Sequence, residues 1–120
     1  KEAPVKKAAK EEKTVKAEVM EKALKTACSV PLEIMKKCCE AIELVKEFAQ
    51  KGSTLAISDA GCGAACLKAA LVSASLNVFI NTNLMTDRDW AEEANSKANS
   101  MLEEYGKLAD EIFNQVRARL

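Results

Sequence analysis

The stretch that decides the fold is SDAGCGAACLKAALVSASLNVFINTNLM, which runs from Ser58 to Met85. Nearly every residue in it is small or apolar, which is the pattern of a helix buried on all sides. Polar side chains interrupt the pattern at Ser73, Asn77 and Asn81, which are spaced by four residues and therefore share one helix face. Because buried polar groups need hydrogen-bond partners, this stripe predicts contacts with a neighbouring helix or a ligand.

The beginning of this stretch combines possible capping residues with two glycines. Ser58 or Asp59 is expected to cap the helix by accepting hydrogen bonds from its free backbone N–H groups. Gly61 and Gly63 each cost about 1 kcal/mol relative to alanine. We therefore expect them to allow a neighbouring backbone or a ligand to come close.

The apolar length of the stretch approaches that of a membrane-spanning helix. Lys68, the one charge within the apolar run, faces either a cavity or solvent. Together with Asn77, Asn81 and the content of glycine, alanine and serine, it makes membrane insertion unfavourable. The sequence therefore predicts a buried helix and no membrane partner.

The chain before this stretch follows a helical period. Apolar residues recur on one face over residues 14–28, and Ser29-Val30-Pro31 then interrupts them, since proline disfavours helical geometry in the residue before it. A second helix is predicted from Pro31 to about Lys51. Gly52 is its expected stop, because glycine adopts the left-handed conformation at low cost.

The chain after the stretch predicts one long helix, from about Asp87 almost to Leu120. The segment Thr86–Asp89 resembles a capping box, with Asp87 as the alternative cap. The fold class is therefore all-α, an antiparallel up-and-down bundle of about four helices with a central buried helix. Three neighbours give such a helix too little cover, so we expect a partner subunit, or a further part of the domain, to complete it.

Composition excludes several classes of protein. The chain has 18 basic and 18 acidic residues and only 4% aromatic residues, so no nucleic-acid partner is expected. It has no histidine, the commonest general base and metal ligand. Its five cysteines are an odd number, which argues against a disulfide framework and favours a reducing, cytoplasmic location. Cys62 and Cys66 share a helix face, but no second pair completes a zinc set, so we expect no metal.

The N-terminal residues differ in composition from the rest. Residues 1–13 are mostly lysine, glutamate and alanine, and we interpret them as a charged N-terminal segment, either a solvated helix start or a linker. Pro4 is compatible with the first turn of a helix. The helical domain is then expected to span residues 14–120.

Four segments carry a resemblance to a known family. They read PLEIMKKCCE (residues 31–40), LAISDAGCGA (55–64), LNVFIN (76–81) and DRD (87–89). Together they resemble the cyclodeaminase/cyclohydrolase family, which comprises the cyclodeaminase domain of formiminotransferase-cyclodeaminase and the related bacterial methenyltetrahydrofolate cyclohydrolases. The resemblance runs from about Glu18 to the C-terminus. The Ser-Asp-Ala-Gly block, followed at this distance by Leu-Asn-Val-x-Ile-Asn, is its most specific part.

The resemblance implies an all-α domain that forms a homodimer and acts on one-carbon derivatives of tetrahydrofolate without a cofactor or a metal. The cyclodeaminase reaction closes 5-formiminotetrahydrofolate to 5,10-methenyltetrahydrofolate and releases ammonia. The cyclohydrolase reaction adds water to the methenyl bridge and gives 10-formyltetrahydrofolate. The family domain begins with a Ser- and Gly-rich segment, and nothing in this chain matches it. An inactive helical dimerisation module is the alternative function.

The resemblance also suggests a catalytic residue. Asp59 is the candidate acid/base group, because a carboxylate can protonate a leaving amine if burial raises its pKa. A plain helix cap is the alternative role. Ser58, Gly61 and Gly63 belong to the predicted substrate site beside it.

Three further residues complete the predicted substrate site. Asn77 and Asn81 are candidates for hydrogen bonds to a pterin edge or to the transferred group, and the alternative is amide bonding between buried helices. Arg88 is a candidate for binding the folate glutamate, since arginine binds carboxylates bidentately. Its alternative is a surface pair with Asp87 or Asp89.

Overall fold

The computed structural model describes residues 3–120, which form three long helices and no strand. Helix α1 spans Pro4–Lys51, α2 spans Ile57–Leu84 and α3 spans Arg88–Ala118. A short 3-10 turn, Thr54–Ala56, joins α1 to α2. The predicted all-α fold class is confirmed, with one long helix fewer than expected.

The sequence predicts a helix boundary at Ser29-Val30-Pro31, and the structure has none there. Helix α1 continues through Pro31, whose ring is buried in the core. Proline in a helix interior removes one backbone hydrogen bond and costs about 3 kcal/mol. Leu24, Cys28, Met35 and Ile42 are buried on both sides of this point. Their continuous buried stripe keeps α1 helical across Pro31, so tertiary packing outweighs the local preference.

The first two helices pack antiparallel. The thiol of Cys28, in the middle of α1, lies 3.8 Å from the carbonyl oxygen of Val78, near the end of α2. A Cβ placed on Gly63, near the start of α2, would lie 3.6 Å from Cγ2 of Val45, near the end of α1. Because the contacts run in opposite directions along the two helices, α1 and α2 form a hairpin closed by the 3-10 turn.

Helix α3 packs antiparallel to α2. A Cβ on Gly61 would lie 3.0 Å from Cγ1 of Val116, at the end of α3. Near the other end, the Thr82 hydroxyl donates to the Asn95 Oδ1 at 2.6 Å. The described chain is thus an up-and-down bundle of three helices, and α2 packs against both others.

The sequence predicts that α2 is buried on all sides, but in the structure it is not. One side of it points to solvent, where Leu76, Ile80 and Leu84 are 67%, 63% and 63% exposed. Only two helices cover α2 in the described chain, so one side of it has no neighbour. The segment Thr54–Leu84 is long and apolar enough to cross a membrane by length and composition alone, and 28% of its most apolar window is buried.

Helix α1 is much longer than its neighbours and extends beyond them. Its 48 residues span about 72 Å, compared with about 42 Å for α2 at 1.5 Å per residue. Every described residue before Glu21 is exposed. The charged N-terminal segment is therefore helical from Pro4 onward and solvated, while residues 1 and 2 lie outside the described residues.

Candidate functional site

The start of α2 leaves the side chains of Ser58 and Asp59 exposed. The helix begins at Ile57 after Ala56, and no side chain caps it. The prediction that Ser58 or Asp59 caps the helix is therefore wrong, because both already lie inside its first turn. A carboxylate there is stabilised by the helix dipole. Asp59 makes no hydrogen bond or ion pair to any other residue between 3 and 120, so its carboxylate is free to bind a ligand.

The two glycines that follow serve helix packing in this structure. Gly61 is buried beneath Val116, and a Cβ there would meet Cγ1 at 3.0 Å, which is tighter than ordinary van der Waals contact. Gly63 is less crowded, since its Cβ would meet Val45 at 3.6 Å. The expected close approach is therefore real at Gly61, where the approaching group is helix α3.

The two predicted amides bond to their own helix. The Asn81 Nδ2 donates to the carbonyl of Asn77 at 2.7 Å, and the Asn77 Nδ2 donates to the carbonyl of Ser73 at 3.5 Å. Bonding between helices, the structural alternative for these amides, is therefore not observed. Each side chain keeps its Oδ1 free of partners in the described chain, so both can accept a hydrogen bond from a ligand.

Arg88 caps the C-terminal end of α2. Its Nη1 donates to the carbonyl of Thr82 at 2.7 Å and to that of Met85 at 3.3 Å. Neither predicted surface pair, with Asp87 or Asp89, is present among the described residues. A cation at this position neutralises the negative end of the helix dipole. These bonds also hold the guanidinium at the edge of a groove.

That groove lies between the end of α2 and the start of α3 and has a volume of about 510 Å³. Its apolar side chains all belong to α2, whereas its polar groups come from both α2 and α3. Its lining residues are Leu76, Phe79, Ile80, Thr82, Asn83, Arg88 and Asn95. Arg88 is the predicted site residue that lines it. An apolar wall with a few fixed polar groups is typical of a small-molecule site.

Asn95 is a groove residue that the sequence analysis missed. Its Oδ1 accepts from the Thr82 hydroxyl, which leaves its amide N–H groups without a partner in the described residues. It lies on α3 among several polar residues, and nothing in its spacing distinguishes it from them. Only the packing of α3 beside Thr82 reveals its position.

A network of charges fixes the turn that presents Arg88. The Glu21 carboxylate accepts from the backbone N–H groups of Thr86 and Asp87 at 2.8 and 3.0 Å. These two bonds hold the pKa of Glu21 below its ordinary value of 4.5. The Lys25 ammonium lies 2.7 Å from Asp87, and this bond, followed by the one from the Trp90 N–H, lowers the pKa of Asp87. Helix α1 therefore anchors the turn after α2.

Asp87 also caps α3, as the sequence allowed. It is the N-cap residue, and its side chain accepts from the backbone N–H of Trp90 at 3.2 Å. Because α3 begins immediately after this cap, Arg88 is the first helical residue. The alternative cap of the sequence analysis is therefore confirmed.

The thiols divide into a buried and an exposed set. Burial raises the pKa of Cys28 and Cys38, and raises that of Cys39 to about 11. A thiol with so high a pKa stays protonated and unreactive at neutral pH. Cys62 and Cys66 are free and exposed on α2. No group of three or more metal-binding side chains lies together anywhere in residues 3–120.

The predicted site residues fall into two separate groups within one chain. Ser58, Asp59 and the glycines lie at the start of α2, whereas Arg88 lies beyond its end. Asp59 and Asn77 are roughly 27 Å apart along the axis, from 18 steps of 1.5 Å. One copy of the chain therefore does not bring Asp59 and the groove into contact with the same small ligand.

Comparison with known proteins identifies the family. The sequence model of formiminotransferase-cyclodeaminase matches residues 2–100, which is most of the chain. Together with the all-α fold, this match shows that the chain belongs to the formiminotransferase-cyclodeaminase family, whose curated relatives are named as enzymes. The expected resemblance is confirmed.

Three relatives illustrate the match. A methenyltetrahydrofolate cyclohydrolase of Methylorubrum extorquens is 39% identical over 110 residues, covering 92% of this chain and 53% of the relative. A mouse formimidoyltransferase-cyclodeaminase is 28% identical over 91% of this chain and 20% of its own length. The enzyme of the same name from Gallus gallus is 33% identical over 78% of this chain and 17% of its length. The chain thus spans about half the length of the cyclohydrolase and a fifth or less of the other two.

Proposed function

We propose that this chain acts in folate one-carbon metabolism as a methenyltetrahydrofolate cyclohydrolase. The observation that carries the proposal is the similarity to the bacterial cyclohydrolase, which is 39% identical over 92% of the chain. The mouse bifunctional enzyme is only 28% identical over a similar span. The substrate is then a cationic methenyl bridge between two nitrogens. The enzyme is expected to work in the cytoplasm with no cofactor beyond its folate substrate.

The reaction requires proton transfer at one carbon. Water adds to the methenyl carbon and loses a proton, which gives a tetrahedral centre bearing a hydroxyl group. One carbon–nitrogen bond then breaks as its nitrogen gains a proton and the hydroxyl group loses its own proton to water, which leaves the formyl group on the other nitrogen. A single carboxylate can take the first proton and deliver the second. Asp59 suits this role because no other described side chain engages it.

The groove beside Arg88 is proposed to hold the rest of the substrate, with Asp59 supplied by the second copy of the expected homodimer. Its apolar wall of Phe79 and Ile80 offers a surface for a flat ring system, and the free amide of Asn95 offers hydrogen-bond donors. The unused donors of the Arg88 guanidinium suit a carboxylate of the folate tail. Asn77 and Asn81, with free acceptor oxygens, remain candidates for hydrogen bonds to a pterin edge.

The decay of methenyltetrahydrofolate absorbance tests this function. The chain should accelerate the decay above the buffer rate, and Asp59→Asn should slow it about 100-fold, since general acid–base catalysis contributes at least that much. Asp89→Asn, an equal charge change in the first turn of α3, serves as the control and should stay within about twofold of wild type. A decay equal to that of buffer would overturn the proposal and favour the inactive dimerisation module.

The same assay distinguishes the two family reactions. A cyclodeaminase would instead release ammonia from 5-formiminotetrahydrofolate and increase the methenyl absorbance. Ammonia release without methenyl hydrolysis would therefore replace the cyclohydrolase assignment by that of a cyclodeaminase.

A further inference from the structure

Thr82 is a buried polar residue in the lining of the groove, with 1% of its surface exposed. Its hydroxyl donates to the Asn95 Oδ1 at 2.6 Å, and its backbone carbonyl accepts from the Arg88 Nη1 at 2.7 Å. We propose that Thr82 is a positioning residue, which holds the Asn95 amide and the Arg88 guanidinium as one donor edge. This donor edge selects ligands whose polar end carries acceptor oxygens, such as a carboxylate.

The orientation of the Asn95 amide follows from the single hydrogen of the Thr82 hydroxyl. Two acceptors lie within its reach, the Asn95 Oδ1 at 2.6 Å and the Phe79 carbonyl at 3.2 Å. The Phe79 carbonyl is already the helical acceptor for the N–H of Asn83, four residues on. A separation of 2.6 Å lies within the range of O–H···O bonds and below that of N–H···O bonds. The oxygen of Asn95 therefore faces Thr82, which leaves the amide hydrogens for the groove.

The two groups that Thr82 holds both present donors. Arg88 and Asn95 are seven residues apart on α3, so they lie two turns apart on the same helix face. The Arg88 Nη1 also donates to the Met85 carbonyl at 3.3 Å, and the other guanidinium nitrogens make no hydrogen bond within the described chain. A guanidinium has no acceptor atom. A ligand with N–H donors at this edge would leave donors facing donors, which costs free energy.

The charge of the groove favours the same kind of ligand. A guanidinium binds a carboxylate through two parallel hydrogen bonds, and no acidic residue is among the lining residues in the described part of the chain. Asn83 also lines the groove, but it is exposed and can turn either end of its amide to a ligand. Phe79 offers an apolar surface for a ring attached to the carboxylate. Identifying this ligand as the tail of folate rests on the proposed function, whereas the donor edge itself does not.

A bond that only joins α2 to α3 is the structural alternative for Thr82. Other threonines show the ordinary behaviour of this side chain in a helix. The hydroxyls of Thr14 and Thr26 donate to carbonyls of their own helix, four residues earlier, at 2.9 and 3.1 Å. Thr82 makes its shorter bond to another helix instead. A joining bond requires the hydroxyl but has no effect on which ligand the groove prefers, so ligand preference separates the two roles.

Two matched probes test the donor edge on the full 120-residue chain. They are p-aminobenzoylglutamate, which ends in carboxylates, and its diamide, which has the same shape but carries N–H donors there. Wild type should bind the dicarboxylate about tenfold more tightly or better, because hydrogen bonds to charged groups are stronger. Equal binding of the two probes, or binding of neither, would overturn the proposal.

Removing the Thr82 hydroxyl tests the positioning role. In Thr82→Val the Asn95 amide can turn round and present its oxygen, so the preference for the dicarboxylate should fall roughly fivefold, about the net effect of one hydrogen bond. Arg88 is held by the backbone carbonyl of Thr82 and stays in place. Thr82→Ala also removes the hydroxyl and covers the case in which valine disturbs the fold. An unchanged preference in both variants would overturn the positioning role.

Two control variants accompany this test. Thr82→Ser keeps the hydroxyl and should retain the wild-type preference, whereas a loss of preference in this variant would assign the effect to packing of the methyl group. Thr14→Val makes the same chemical change at an exposed position of α1 and should leave the binding of both probes unchanged.

Kinetics separate this inference from the proposed function. In methenyltetrahydrofolate hydrolysis, Thr82→Val should raise KM roughly fivefold and change kcat less than about twofold, because a contact with the tail is equally strong in the ground and transition states. If wild type is inactive but prefers the dicarboxylate, and Thr82→Val reduces this preference, the proposed function fails and the donor edge stands. If wild type is active while Thr82→Val keeps both the KM and the preference, the donor edge fails and the proposed function stands.

Discussion

At Gly61 the absence of a side chain sets how closely α3 approaches α2. The β-branched Val116 lies above it with few accessible rotamers, so it cannot turn aside freely. Gly63, two residues on, faces Val45 at ordinary contact distance. The sequence predicts that both glycines permit a close approach. It does not distinguish them, because the difference depends on which neighbour lies above each.

We expect alanine to have different effects at these two glycines. Gly63→Ala should raise the free energy of unfolding by about 0.5–1 kcal/mol through the lower helix cost of alanine. The free energy of unfolding of Gly61→Ala should be about 1 kcal/mol lower than that of Gly63→Ala, because the new methyl group pushes Val116 away. Urea unfolding of both variants measures this difference. Val116→Ala should remove it, and equal stabilities of the two single variants would contradict the packing role of Gly61.

For the predicted site residues, the sequence does not predict which groups each side chain bonds to. The residue types at Asp59 and Arg88 suggest chemistry, but only the structure shows that Arg88 caps α2 through the carbonyl of Thr82. Asn95 has no sequence signal because its role depends on contact with another helix. A pattern along one chain indicates which residues share a face, whereas partners distant in the sequence follow from packing.

At the scale of the element, α1 shows how packing overrides a local signal. The sequence correctly predicts its end near Lys51, the start of α3 close to Asp87 and a helix through most of the Ser58–Met85 stretch. It wrongly predicts a break at Pro31, because the apolar stripe is continuous on both sides. Gly52 ends α1 with φ of −72°, so the left-handed conformation expected there is not used.

Replacing Pro31 should reveal the cost that packing overcomes. Pro31→Ala restores the backbone N–H that can donate to the Ala27 carbonyl, which should stabilise the variant by about 3 kcal/mol. The variant also loses the buried contacts of the proline ring, which should destabilise it by about 1–2 kcal/mol. We expect the free energy of unfolding to rise by roughly 1 kcal/mol, as measured by thermal unfolding. Pro4→Ala, in the first turn, should change nothing measurable. A destabilised Pro31→Ala would show that the ring packing dominates.

At the scale of the whole molecule, the Glu21 carboxylate connects α1 to the turn between α2 and α3. Glu21 and Asp87 both have a lowered pKa in the folded chain. The stability that they contribute is therefore complete above the ordinary values of 4.5 and 3.8, and it is lost as the pH falls through the lower folded values.

Glu21→Gln should make this acid dependence visible. The variant should be less stable than wild type at pH 7, because a neutral amide accepts weaker hydrogen bonds from Thr86 and Asp87. The difference should shrink as the pH falls from about 4.5, the ordinary value that applies to the unfolded chain, through the lower pKa of the folded carboxylate. Urea unfolding at a series of pH values measures it, and Glu92→Gln, an exposed change on α3, is the control. A difference that does not vary with pH would contradict the role of the charge.

The extension of α1 beyond the bundle has a consequence for local opening. The part of α1 before Glu21 is exposed throughout, and most helical stability in proteins comes from packing. The turns before Glu21 should therefore open and close independently of the bundle. We expect their amides to exchange hydrogen far faster than those around Ile42. Trypsin should remove this extension while the bundle stays folded, and equal protection along α1 would show that the extension is covered in solution.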